Sequence, residues 1–174
     1  DSSKTPVQTF QNAQNIVQDL LILLSQKEKH VIKRRFNLDN TYKATLEEIG
    51  KQFNVTRERI RQIEKNALTK LQRNVGNTEL RLINEFIKEV LKENGGIMTE
   101  DNLFAALVSI LDKNDVEVNR NAVNLSLSLD KDLKRVPNTI IYHPHVKFAD
   151  VDHNFIKSVT TKTNSILKKK SDIV

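Results

Sequence analysis

The chain has 174 residues, of which 29% are charged and 38% hydrophobic, with only four glycines and three prolines; that composition fits one or two helix-rich globular domains and excludes a disordered or fibrous chain. It has no cysteine and no tryptophan, which removes disulfides, thiolate metal sites and thiol nucleophiles and leaves little for stacking on bases. The net charge of +6 is uneven: residues 25–76 hold 13 Lys and Arg against 6 Asp and Glu, whereas residues 77–150 hold 9 against 12. An excess of this kind on one segment is the electrostatic footprint of a polyanion-binding unit.

The first expected helix runs from about Val7 to Leu24, with Phe10, Ile16, Val17, Leu20, Leu21 and Leu24 as its apolar stripe. The run Leu20 to Leu24 is far too short to cross a membrane. No secretory signal is visible and the first residue is Asp rather than Met, so we expect an intracellular fragment or processed product. Ser25-Gln26-Lys27-Glu28 reads as a capping box opening a second helix that carries Val31, Ile32 and Phe36. A polar connector, Asn37 to Ala44, leads to a second capping box, Thr45-Leu46-Glu47-Glu48. Thr56 can cap the next helix, expected to run to about Arg73, and Gly76 and Asn77 close this first unit.

The second unit opens on an amphipathic helix marked by Leu80, Leu82, Ile83, Phe86, Ile87, Val90 and Leu91 and stopped at Asn94-Gly95-Gly96. Thr99 can cap a following helix that buries Leu103, Phe104, Leu107, Val108 and Leu111, and a third spans about Asn119 to Leu129. The period then changes. Leu133 to Val136 and Ile140 to Val146 predict two short strands joined by Pro137-Asn138-Thr139. Three helices followed by a hairpin is the order of a winged helix. Residues 153–169 predict one more helix, ending in the basic run Lys168 to Lys170.

The segment Thr45 to Leu71, TLEEIGKQFNVTRERIRQIEKNALTKL, carries the most information. Set as a helix-turn-helix starting at Leu46, it puts Ile49, Phe53, Val55, Ile60 and Ile63 inward, Gly50 where the helices touch and Asn54 at the turn, where a left-handed backbone is wanted. On a wheel of roughly 100° per residue starting at Arg57, Arg61 falls near 40°, Lys65 near 80°, Glu58 near 100° and Gln62 near 140°. Ile60, Ile63, Ala67 and Leu71 gather between about 240° and 320°. The polar face suits a major groove. Arg pairs with guanine O6 and N7, Gln with adenine N6 and N7, and Glu accepts from cytosine N4. A solvated face on a helical bundle would also carry Arg and Glu, but it would not explain the five apolar slots, the glycine and the turn together.

LLSQKEKHVIKRRFNL, the connector and TLEEIGKQFNVTRERIRQIEKNALTKLQR resemble region four of the primary bacterial sigma factors over residues 20–73. The resemblance implies that the second helix of the motif reads a −35-type promoter element in double-stranded DNA. Arg57, Glu58, Arg61 and Gln62 are the expected base-reading residues. Leu46, Glu47, Lys51, Thr56, Arg59, Lys65 and Arg73 are expected at the DNA backbone. It also implies docking onto the RNA polymerase beta flap through an apolar surface of the preceding helices; Leu21, Leu24, Val31 and Ile32 are candidates for that surface and equally for the core. The aromatic, basic region that melts promoters in this family is absent from the chain, so promoter opening is not expected.

Residues 77–150 resemble, more weakly, the HARE-HTH winged helix known from the delta subunit of some bacterial RNA polymerases. Its third helix offers Arg120, Asn121, Asn124 and Ser128, and its hairpin Lys134 and Arg135, but the acidic balance opposes a phosphate backbone and suits contact with another protein at least as well. His143, His145 and His153 with Asp150 and Asp152 lack the spacing of a metal site. No phosphate loop or catalytic constellation is present, so neither cofactor nor enzymatic activity is expected. The expected architecture is mostly α: a helix-turn-helix domain over 1–76, a winged-helix-like α+β domain with a short β-hairpin over 77–150, and a C-terminal helix with a basic tail over 151–174. The expected function is sigma-like, sequence-specific DNA binding in transcription. The alternatives are a polymerase-binding adaptor acting through protein contacts and the targeting module of a larger DNA-acting enzyme.

Overall fold

A computed structural model describes residues 13–78, 80–108, 116–136 and 144–151, with the side chains of 13–15 and 116–119 left aside. The expectations at Val7 and Phe10, Pro137 to His143, and the C-terminal helix and basic run beyond residue 151 lie outside the described residues. Four helices form the first part: α1 (Ala13–Leu21), α2 (Gln26–Phe36), α3 (Leu46–Phe53) and α4 (Arg57–Asn74), followed by a short 3-10 turn at Val75–Asn77. The second part contains α5 (Leu80–Glu93), β1 (Ile97–Thr99), α6 (Glu100–Leu107), α7 (Val116–Leu129), β2 (Leu133–Val136) and β3 (His145–Phe148).

The helix boundaries have local causes. Ser25 and Thr45 each complete a capping box, in which the hydroxyl accepts from the third helical amide and the third-position glutamate accepts from the cap amide. Thr56 caps α4 by accepting from the Arg59 amide. Asn37 and Asn54 end α2 and α3 in the left-handed region, at φ 54° and 53°, a conformation Asn tolerates better than most residues. After α5 the chain reverses through Gly95 and Gly96, and the Gly96 amide donates back to the Leu91 carbonyl at 2.7 Å.

The sheet has the order β1-β3-β2, antiparallel throughout. The sequence missed β1, because three residues are too few to show a period. Among the described residues β3 covers His145–Phe148, with Val136 opposite His145 and Leu133 opposite Phe148.

The apolar residues form two clusters. Val31, Ala44, Ile49, Ile60 and Ile63 make a small core inside the helix-turn-helix, with Leu46, Phe53 and Val55 packed against it. A larger cluster runs across position 76: Ile16, Leu20, Leu21, Leu24, Ile32, Ala67 and Leu71 join Leu80, Ile83, Ile87, Leu103, Val123 and Leu125. Helix α7 packs against α1, α2 and α4 as well as α5 and β2. The N-terminal half of α4 is therefore held by the small cluster and its C-terminal half by the large one.

The tightest contact is at Gly50. A β-carbon there would lie 2.8 Å from the carbonyl oxygen of Val55, a backbone atom that cannot rotate away. Gly50→Ala should cost about 1–3 kcal/mol by forcing α3 off the turn. Thermal unfolding followed by circular dichroism checks this, and a variant that melts with the wild type would show that the two helices part freely.

Candidate nucleic-acid interface

Helix α4 has 18 residues, a rod of about 27 Å. Ile60, Ala67 and Leu71 are fully buried along one side and Ile63 nearly so. Arg57, Glu58, Arg61, Gln62 and Lys65 are exposed on the other side, as are Arg59 and Arg73. The apolar slots expected from the sequence are filled as expected, with Phe53 and Val55 half-buried at the rim.

The polar face is internally paired. The Arg61 guanidinium donates to both carboxylate oxygens of Glu58, at 2.9 and 2.7 Å. This hydrogen-bonded pairing holds the Glu58 carboxyl below its ordinary range and raises Arg61 above its own. Glu58 is thus a carboxylate at neutral pH, an acceptor without a proton to give. The Arg59 guanidinium reaches the Gln62 carbonyl oxygen at 3.4 Å. Exposed pairs of this type are weak in water, so base edges and phosphates can replace the partners at little cost.

The remaining residues expected at the DNA backbone lie around the motif. Leu46 is half-buried against the small core and Glu47 exposed beside it. Lys51 pairs with Glu47 at 3.2 Å across one turn of α3, both side chains largely in solvent. Thr56 stays exposed while it caps α4.

The four residues named for polymerase contact are different. Leu21, Val31 and Ile32 are wholly buried, and Leu24 is 6% exposed. They are core, not surface: Val31 fills the small cluster and the other three the large one. The apolar side chains that reach solvent in this region are their neighbours Ile22 and Leu23, 71% and 49% exposed.

The third helix of the second part is also not a free reading edge. The Asn121 amide is buried and donates to the Asn37 carbonyl at 3.0 Å, and Arg120 lies over the Phe104 ring, 4.4 Å from its centroid. On the sheet, Arg135 is ion-paired with Glu100, while Lys134 is exposed. His145 is buried and Asp150 exposed, and among the described residues no group of acidic and histidine side chains is arranged to hold a metal. No described helix is long and apolar enough to cross a membrane.

Sequence reasoning missed the struts that fix α4. Arg35, on α2, donates to Glu64 of α4 at 2.9 Å and to the Ala44 carbonyl at 3.0 Å. Lys70 of α4 reaches Glu28 of α2 at 2.7 and 3.0 Å. These partners stand 29 and 42 residues apart, and no local pattern signals such a pair.

A groove-sized helix with a polar outer face, held against a shorter helix through a tight turn, is the helix-turn-helix arrangement of nucleic-acid-binding proteins. Residues 20–73 match the family model described as Sigma-70, region 4. The same region is similar to an RNA polymerase sigma factor SigA from Bacillus sp, 54% identical over 56 residues. That stretch is 32% of this chain and 15% of the relative, so the chain spans about a seventh of that protein. The match to the family ends at Arg73, and α5, α6, α7 and the sheet lie beyond it.

Two expectations follow from the geometry. Thr56→Ala should cost about 1 kcal/mol of stability by orphaning an amide at the start of α4, and Thr56→Ser should recover most of it, as read by urea denaturation. The Lys70 ammonium, with the Ser25 amide and hydroxyl, lowers the Glu28 carboxyl from its ordinary value. Its contribution is therefore complete above the unfolded-state value and disappears as pH falls through the lowered one. Glu28→Gln should flatten the acid limb of the stability–pH curve and leave its neutral slope unchanged.

Proposed function

We propose that this chain is a sigma-like, sequence-specific DNA-binding protein of transcription that works inside the cell and reads a −35-type element in the major groove. One observation carries the reading: the exposed face of α4 presents Arg57, Glu58, Arg61 and Gln62 while its opposite face is locked into the core. Arg57 and Gln62 supply fork-shaped and amide partners for purine edges, and Glu58 accepts from a cytosine amine, with Arg61 turning between Glu58 and the groove. Leu46, Glu47, Lys51, Thr56, Arg59, Lys65 and Arg73 line the phosphates on either side. A carboxylate among these cations argues for base reading, since attraction alone would exclude it.

The chemistry is recognition, and RNA polymerase is the proposed protein partner, through its beta flap. The similarity to region four supports this. The second unit, over 77–150, is proposed as a HARE-HTH-like winged helix that contacts protein rather than DNA. Its acidic balance and the packing of α7 against the first unit favour that role. A second reading, an adaptor that docks on polymerase without touching DNA, rests on the same acidic unit.

Selection from random duplexes separates the two. The wild type should enrich one preferred site. Arg57→Ala and Gln62→Ala should each relax the preference at one base pair, costing about 1–3 kcal/mol there. Lys51→Ala should weaken all sequences alike and reduce the salt slope by about one. Enrichment that survives Arg57→Ala unchanged would remove the base-reading assignment, and no enrichment at any salt would favour the adaptor.

A further inference from the structure

Between α2 and the end of α3 lies an open cleft of about 700 Å³, within the size range of a site for one small molecule. Helix α2 supplies Lys27, Lys29, His30 and Lys33 to it, the connector Asp39, and α3 the ring of Phe53. None of these residues belongs to the face of α4 proposed to read DNA.

The charge in the cleft is unbalanced. Its carboxylate, Asp39, is already paired with Lys33 at 3.3 Å. Lys27 and Lys29 have no ion pair among the described residues, whereas Lys51, Arg61 and Lys70 each have a carboxylate partner. Lys29 and Lys33 stand one turn apart on α2, so their side chains are neighbours, and like charges so placed repel. Lys29 is half-buried as well, which leaves less water around it to screen that repulsion. An anion placed between the two ammonium groups relieves it.

Beside the ammonium groups stand two rings. His30 and Phe53 meet edge to face, with centroids 5.1 Å apart and planes at 88°, and the Lys27 ammonium lies 5.2 Å from the centre of the Phe53 ring. The His30 Nε2 is 3.2 Å from the Gln52 side-chain oxygen, which ties the imidazole in place while His30 stays exposed. Around α2, at roughly 100° per residue, Lys27 falls on one side of His30 and Lys29 and Lys33 on the other. A held, exposed ring is a platform for a planar base, and ammonium groups around it are point charges for phosphate oxygens. An acidic peptide or a free phosphate would satisfy the lysines and leave the rings unused.

We propose that the cleft between α2 and α3 binds a nucleoside polyphosphate, with the base against the His30 ring and the phosphates among Lys27, Lys29 and Lys33. Such a ligand bridges the two helices that pack against α4, so it acts on the scaffold of that helix without covering its exposed face. The site stands whether or not α4 reads DNA.

His30 is the single histidine of residues 1–142, so its ring resonances, assigned with His30→Gln, report on the cleft in the full chain without DNA. Titration with GTP should shift them saturably in the sub-millimolar range. GMP, which lacks two phosphates, and tripolyphosphate, which lacks the base, should each bind about tenfold more weakly. Lys27→Gln combined with Lys29→Gln should weaken GTP about tenfold and leave the circular dichroism spectrum unchanged. No saturable shift would overturn the proposal. Tripolyphosphate binding as tightly as GTP would reduce the cleft to a phosphate site and overturn the nucleotide assignment. A duplex that moves the same resonances and displaces GTP would assign these lysines to nucleic-acid phosphates, and would overturn it too.

Discussion

The contact between Gly50 and the backbone of Val55 fixes everything the helix-turn-helix does. With only a hydrogen on that α-carbon, α3 can approach the start of the next helix until the absent β-carbon would stand 2.8 Å from a carbonyl oxygen. The Asn54 backbone turns left-handed to make the reversal, and the Thr56 hydroxyl secures the first turn of α4. These three residues set the angle at which α4 leaves the motif. The small cluster around Ile49, Ile60 and Ile63 and the larger one around Ala67 and Leu71 then hold the rod along its length. The proposed reading of bases needs that rigidity, because side chains can match base edges only if the backbone behind them is already in place.

The electrostatics follow from the same placement. The cations that face outward on α4 are loosely held by exposed partners, Glu58 for Arg61 and Gln62 for Arg59. Arg35, partly buried, is committed to Glu64, and Lys70, half in solvent, to Glu28, and both pairs tie α4 to α2. Side chains of one chemical type are thus divided between an open face and architecture by whether a partner on a neighbouring helix lies within reach.

Much of this was legible in the sequence, for a definite reason. Capping boxes, a positive-φ asparagine and a helical apolar period are local signals, and the motif at Thr45 to Leu71 consists almost wholly of local signals. The same reasoning recovered α5, β2 and the cap at Thr99. It failed wherever the answer was long-range. Periodicity shows that Leu21, Leu24 and Ile32 belong to an apolar face, but not whether a partner protein or the chain itself covers that face. Here α7 covers it, about 100 residues along the chain. The Asn121 amide, one of the hydrogen-bonding groups that the third helix offers, points into that internal junction. Strand β1 was lost to its shortness, three residues.

The molecule joins a helix with an outward polar face to a second unit that packs on the same helix from behind. The most direct test of that orientation is chemical-shift mapping of the full chain titrated with a duplex carrying a −35-type element. The account predicts that the resonances of Arg57, Glu58, Arg61 and Gln62, backbone and side chain, move first and farthest, while Ala67, Leu71 and α7 stay still. Shifts confined to the second unit or to the sheet, with the first two turns of α4 silent, would contradict it.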